Sequence, residues 1–202
     1  MSSILNASAS GGLVTAGDAS ATLELQSDGT TKFTVAPTGA YGTLLSGAVT
    51  AMSGSSVNIS GIPTWAKRVT LLLSAVSTSG ASALQVKLGT TSGLESTGYT
   101  NATSELLAGV TSSFNITNAI SIENNTGNLS AAATRRGALV LYNYSGNEWV
   151  YTSSIGSSTN GLSFITNGGK TLAGALSQLT LTTINGTDTF DATGTIKIVC
   201  EG

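Results

Sequence analysis

Apolar and polar residues alternate along most of this 202-residue chain. In residues 68–76, RVTLLLSAV, the side chains of Val69, Leu71, Leu73 and Ala75 fall on one side of a period-two pattern, and Arg68, Thr70 and Ser74 fall on the other. That is the pattern of a strand half buried against a core. Leu72 breaks it by placing a large apolar side chain on the polar side. Pro63 has no amide hydrogen to give a sheet ladder, so it fits just ahead of the strand, and Trp65 is placed to close the end of an apolar core. The same alternation predicts strands over residues 47–52, 56–59, 82–88, 113–123, 138–144, 148–153, 162–166, 178–184 and 195–199. Nearer the start, residues 22–26 and 31–35 alternate on either side of Asp28-Gly29, a pair that supplies the positive φ of a tight hairpin. Alternation is weakest over residues 94–110, where Ser104-Glu105-Leu106-Leu107 is the one place a helical turn is expected.

With β-branched residues abundant and Gly, Asn, Ser and Asp marking turns at short intervals, the fold class is all-β: an N-terminal β-hairpin segment followed by an antiparallel β-sandwich. Residues 1–45 hold a single hairpin, a Gly11-Gly12 pair and the stretch APTGAYG at 36–42. A lone two-stranded hairpin is marginal in water, so this segment is expected to dock on another surface or to help the chain oligomerise. Residues 46–202 form the sandwich domain. No period of 20–50 residues recurs, which sets solenoids and propellers aside.

Composition narrows the chemistry. Charged residues are 9% of the chain, against about 25% in an average soluble domain. Eight basic and ten acidic side chains give a net charge of −2, and the basic ones cluster only as Lys67-Arg68 and Arg135-Arg136. Phosphate binding needs a clustered basic face, so nucleic acid is not an expected partner. There is no histidine, which removes the usual general base, the commonest zinc ligand and every Ser-His or Cys-His pair. The single cysteine, Cys200, shares a side of its strand with Ile196 and Ile198 and reads as a small buried hydrophobe. The start, MSSILNASASGG, lacks the basic and apolar regions of a signal peptide, and no window is apolar enough for a transmembrane helix. No cofactor and no membrane insertion are expected.

The stretch GGLVTAGDASATLELQSDGTTKFTV, residues 11–35, resembles the N-terminal hairpin segments of bacteriophage tail-fibre and virion appendage proteins. Residues 60–80, SGIPTWAKRVTLLLSAVSTSG, followed by LQVKLGTTSGLESTGY and GTDTFDATGTIKIVCEG, resemble a phage tail-fibre β-sandwich domain. Ile62, Pro63 and Trp65 stand in its turn before a strand, Gly98 and Tyr99 in its Thr-Gly-Tyr step, and Asp188, Phe190 and Asp191 in its turn before the last strand. Thr64 stands where that pattern often has Ser. The resemblance implies a non-enzymatic virion structural protein with a jelly-roll-like domain, a tail fibre or appendage assembling as a homotrimer on the tail or capsid exterior. Other virion proteins, and a host-surface glycan, are the partners it brings into view.

Two features are candidate contact sites. In residues 142–151, YNYSGNEWVY, a four-residue loop at 145–148 would set Tyr144 opposite Trp149 and Tyr142 opposite Tyr151, so that four rings share one face. Such a face can stack on sugars, and equally pack in a core or a subunit contact. Leu72, apolar on the outer side of its strand, is the expected subunit contact. No catalytic, cofactor or metal residues are expected: Asp188 and Asp191 are the closest carboxylate pair, but flanking Phe190 in a turn they read as caps of their own backbone. The alternatives to a tail fibre are a capsid decoration or head-fibre protein and a carbohydrate-binding adhesin module.

Overall fold

A computed structural model of the chain describes residues 23–27, 30–35, 44–47, 50–107, 110–124, 127, 129–131, 133–159 and 161–202. The Gly11-Gly12 pair, the Asp28-Gly29 turn and the 36–42 stretch lie outside the described residues. The chain divides into two compact units, Met1–Gly42 and Thr43–Gly202. In the first, β1 (Leu23–Ser27) and β2 (Thr30–Val35) pair antiparallel with Leu25 opposite Phe33.

The second unit contains β3 (Leu44–Ser46), β4 (Thr50–Ala51), β5 (Ser56–Ser60), β6 (Arg68–Val76), β7 (Leu84–Thr90), β8 (Gly93–Leu94) and β9 (Tyr99–Leu107). It continues with β10 (Val110–Phe114), β11 (Ile120–Ser121), β12 (Arg135–Ser145), β13 (Glu148–Ser157), β14 (Ser163–Thr171), β15 (Gln178–Thr183) and β16 (Thr195–Glu201). No helix occurs among the described residues. A nine-stranded sheet runs β10-β9-β14-β13-β12-β6-β16-β3, with β4 also on β16. A five-stranded sheet runs β11-β7-β15-β5, with β8 on β7. All pairings are antiparallel, and the two sheets pack as a sandwich.

The alternation read from the sequence is what builds this core. Val69, Leu71 and Leu73 of β6, Leu139 and Leu141 of β12, and Ile155 of β13 face inward from the large sheet. Leu84, Val86 and Leu88 of β7 and Leu179 and Leu181 of β15 meet them from the small one, forming a single cluster. Each such side chain stabilises the fold by about 1.5–3 kcal/mol relative to leaving it in water. Trp65 packs against the edge of the cluster, and Cys200 is buried within it, where burial pushes its thiol pKa up.

Two local departures from the expected pattern have physical causes. Residues 99–107 form a nine-residue strand, with no helical turn at 104–107. The strand was hard to read because its hydropathy is inverted: polar Asn101, Thr103 and Glu105 are buried beside Tyr99, whereas Ala102 and Leu106 face out. The second departure is a β-bulge in β6. Leu73 pairs with Gly137 and Val76 with Arg135, so Ser74 and Ala75 together oppose Arg136. Ala75 takes φ +53° to make the bulge, and Val76, not Ala75, resumes the inward side. Opposite the bulge, a Cβ on Gly137 would come 2.0 Å from the Ser154 carbonyl oxygen, so only glycine fits there.

The bulge gives the first prediction. A left-handed conformation costs an L-residue about 1–2 kcal/mol and is far worse for a β-branched one. Ala75→Val should lower stability by about 2 kcal/mol or more, while Ala75→Gly should be neutral or slightly stabilising, as read from urea denaturation midpoints.

Candidate functional site

The outer face of the nine-stranded sheet is an exposed surface of unusual chemistry. Strand register places its side chains in rows. One row, from β16 to β9, reads Val199, Thr70, Val140, Thr152, Asn167, Ala102. The next reads Lys197, Leu72, Ala138, Ser154, Ile165, Ser104. The two rows hold one charge, that of Lys197. Leu72 is 39% exposed on this face, and Val150, Ile165 and Leu106 are exposed on it as well. Charge collects at the margin, where Arg68 pairs with Glu201 at 3.1 Å and its guanidinium lies 5.9 Å from the Tyr142 ring centroid. Thr70, next to Leu72 on the same strand, is only 8% exposed, and its Oγ1 is buried without a hydrogen-bond partner among the described residues.

The four rings of residues 142–151 do not share a face. The turn between β12 and β13 is two residues, Gly146-Asn147, and a register shift between Asn143 and Ser145 leaves Tyr144 without an opposite residue. Tyr142 therefore faces Val150, and Tyr151 faces Leu141. Trp149 and Tyr151, each 4% exposed, point into the sandwich, and Tyr142 and Tyr144 point to solvent, Tyr144 at 73%. Glycine explains the inward position of Tyr151: its ring covers Gly168 of β14, where a Cβ would lie 2.8 Å from ring carbons. The Tyr151 hydroxyl donates to the Thr100 carbonyl at 2.8 Å, and burial raises its pKa.

Polar groups inside the sandwich are tied to backbone. The Asn101 amide donates to the carbonyls of Ile116 and, at 2.7 Å, Ala119. The hydroxyls of Thr103 and Thr166 donate to the Ser121 carbonyl at 3.1 and 2.7 Å. These side chains serve the peptide groups of the chain that passes over β9 between β10 and β11, groups that would otherwise be buried unmet. Tyr99 works the same way: its hydroxyl accepts from the Leu88 amide at 2.8 Å and donates to the Glu95 carbonyl at 3.0 Å. Burial, against the Leu88 hydrogen bond and with the Glu95 charge, pushes its pKa up to about 12.

Two ion pairs are embedded in this framework. Arg135 and Glu123 are fully buried, Nε to Oε1 at 2.9 Å. Arg135 Nη1 also donates to Thr78 Oγ1 at 3.1 Å and to the Ala133 carbonyl at 3.0 Å, and the Leu84 amide donates to Glu123 Oε2 at 2.9 Å. Burial raises the Glu123 pKa against the pull of the guanidinium and of that amide. The second pair joins Lys170 to Glu95, with the ammonium 5.6 Å from the Tyr99 ring centroid. Burial works to raise the Glu95 pKa, but the Lys170 hydrogen bond, the Ala173 amide and the Lys170 charge together hold it below its ordinary value.

Asp188 and Asp191 do not cap their own backbone as expected; their carboxylates tie the turn to the segment after β6. Asp188 accepts from the Ser82 amide at 3.0 Å and the Asn185 side chain at 2.8 Å, and Asp191 accepts from the Ser77 hydroxyl at 2.7 Å. Hydrogen bonds from Asn185 and then Ser82 lower the Asp188 pKa, the direction opposite to that a glycosidase needs in its proton donor. Among the described residues no three His, Cys, Asp or Glu side chains gather as a metal-binding group.

Removing the charge of Glu123 while keeping its shape strands a buried guanidinium. Glu123→Gln should therefore cost about 3–5 kcal/mol, and the double variant Glu123→Leu, Arg135→Met should cost less than the sum of its single changes. Denaturant titration of wild type, Glu123→Gln, the two single variants Glu123→Leu and Arg135→Met, and the double variant measures both. For Glu95, the folded pKa lies below the unfolded one, so its stabilisation is complete above about pH 4.5 and is lost as pH falls through the folded value. The stability advantage of wild type over Glu95→Gln should thus be constant at neutral pH and shrink as pH falls below about 4.5.

No protein-family model matches the chain, and no curated protein and no solved structure matches it.

Proposed function

We propose that the protein is a non-enzymatic structural component of a bacteriophage virion, a tail-fibre or appendage protein that assembles as a homotrimer through the outer face of its nine-stranded sheet. The observation that carries this reading is that face: two rows of side chains across six strands with a single charge, among them an exposed leucine. A charge-poor face on which Leu72, Ile165, Val150 and Leu106 are exposed favours association, and closed cyclic symmetry lets copies cover it without leaving a free patch. The sequence likeness to phage appendage hairpins and sandwich domains supplies the class of particle. The pairing of early with late strands, β6 with β16 and β5 with β15, supports a jelly-roll-like connectivity. In this reading the N-terminal segment docks the chain to other virion proteins on the tail or capsid exterior.

A capsid decoration or head-fibre protein would use the same surfaces, and a particle reconstruction that locates the density separates the two. Glycan binding by a four-ring platform loses its support, since only Tyr142 and Tyr144 of that set are exposed.

Leu72 tests the contact. Being partly covered already, it gains only about 0.5–1 kcal/mol per copy on burial, but a carboxylate in its place would be desolvated without a partner. Wild type should sediment as a trimer at micromolar concentration, and Leu72→Asp as a folded monomer. Ser60→Asp, on the exposed edge strand of the other sheet, should remain trimeric. A wild-type monomer overturns the assembly, and a trimeric Leu72→Asp overturns the contact.

A further inference from the structure

Covering the outer face of the nine-stranded sheet would cover Lys197 with it, and that charge has no partner of its own. Lys197 is half-buried beside Leu72, the residue opposite it on β6, and its ammonium makes no hydrogen bond or ion pair among the described residues. Arg136, one row further along the same face, donates to Ser74 Oγ at 3.0 Å and makes that end of the face more basic. An ammonium taken out of water without a carboxylate is strongly unfavourable. A surface that covers Leu72 is therefore favoured if it brings a carboxylate to Lys197.

Where the covering surface is another copy of the chain, that carboxylate is one of the chain's own. Within residues 43–202 nearly all are committed. Glu95, Glu123 and Glu201 stand in ion pairs, Asp188 and Asp191 accept hydrogen bonds, and Glu105 is buried and engaged. The Glu148 carboxylate alone has neither a hydrogen bond nor an ion pair among the described residues, and Glu148 is exposed. It stands on the same outer face as Lys197, since its neighbours Trp149 and Tyr151 mark the inward side of β13. Within one copy the two charges are far apart. Glu148 lies three strands from β16 and six residues along β13 from Ser154, which is in line with Lys197, a separation of about 24 Å at roughly 4.8 Å per strand and 3.3 Å per residue.

We infer that Lys197 of one copy pairs with Glu148 of the next, so that the contact joins two different patches of the same face. This pairing rests on the outer-face assembly proposed above and adds which residues meet in it. Each patch also carries an apolar side chain at a similar spacing from its charge. Leu72 is one strand from Lys197 and Val150 is two residues from Glu148, about 5 and 7 Å away. Charge and apolar contact can thus be made together. In a closed ring each copy gives one Lys197 and one Glu148, so every contact holds one pair and neither charge is left over. Such a pair fixes the register of neighbouring copies, because any other register sets Lys197 against an uncharged or basic part of the face.

The test is a charge swap in the full chain, read by sedimentation over a range of concentrations, with circular dichroism to show that each variant is folded. Lys197→Glu and Glu148→Lys each set like charges against one another at every contact. Each should raise the concentration needed for half-assembly by about tenfold or more. The protein carrying both changes has the pair restored with its signs exchanged, and should assemble within about threefold of wild type. Lys87→Glu makes the same change of charge on the other sheet and should assemble like wild type. A monomeric wild type overturns the pair and the assembly together. In a trimeric wild type, the pair alone is overturned if either single reversal changes nothing, if the double change fails to restore assembly, or if Lys87→Glu weakens it as much. A dimeric wild type that shows the same loss and restoration upholds the pair and removes the trimer.

Discussion

The buried pair of Arg135 and Glu123 is the constraint around which one end of the sandwich is organised. Two charges out of water cost several kcal/mol each, and their attraction offsets this only if the remaining donors and acceptors are also met. Meeting them draws in Thr78 from the loop after β6, the Leu84 amide at the start of β7 and the Ala133 carbonyl before β12. Strands from both sheets are thereby fixed relative to one guanidinium. The loop that Thr78 anchors is held further by Asp191 on Ser77 and by Asp188 on Ser82. One nitrogen, Arg135 Nη2, has no partner among the described residues, so the arrangement favours a unique geometry more than maximal stability.

The bulge at Ala75 follows from the same geometry. Val76, which pairs with the strand start at Arg135, must face the core, and the preceding leucines must face it too. A regular strand would place Val76 on the side opposite Leu71 and Leu73, since side chains alternate with period two. Inserting one residue restores the parity, at the cost of a left-handed alanine. Toward β9 and β14 the interior changes character and becomes a lattice of amides and hydroxyls serving passing backbone.

How much of this was legible depended on whether burial and hydropathy coincide. In β6 as far as Leu73, and for Leu84, Val86 and Leu88 of β7, they do, and those inward residues can be read directly, whereas the bulge that replaces Ala75 by Val76 on the inward side cannot. In β9 they oppose each other, because the segment it faces presents carbonyl groups instead of side chains, and the alternation vanished into apparent disorder of pattern. The hairpin of residues 142–151 is legible in its place but not in its parity, which depends on a turn of two residues instead of four and on the bulged Tyr144. That shift moved Trp149 and Tyr151 inward and Val150 outward. The outward position of Leu72 is visible in the sequence, whereas the Arg135 pair is not, since it is assembled from segments far apart in the chain.

Residues 195–201 occupy a place in the large sheet between β6 and the short strands β3 and β4, although most of the chain separates them from those neighbours. Pairings this distant make the contact order high, and folding correspondingly slow. Until β16 docks, β6 is an open edge that carries three consecutive leucines, and an unpaired apolar edge is a template for a neighbouring chain. The yield of native protein at high concentration is therefore governed by a race between insertion of one late strand and encounter with another molecule.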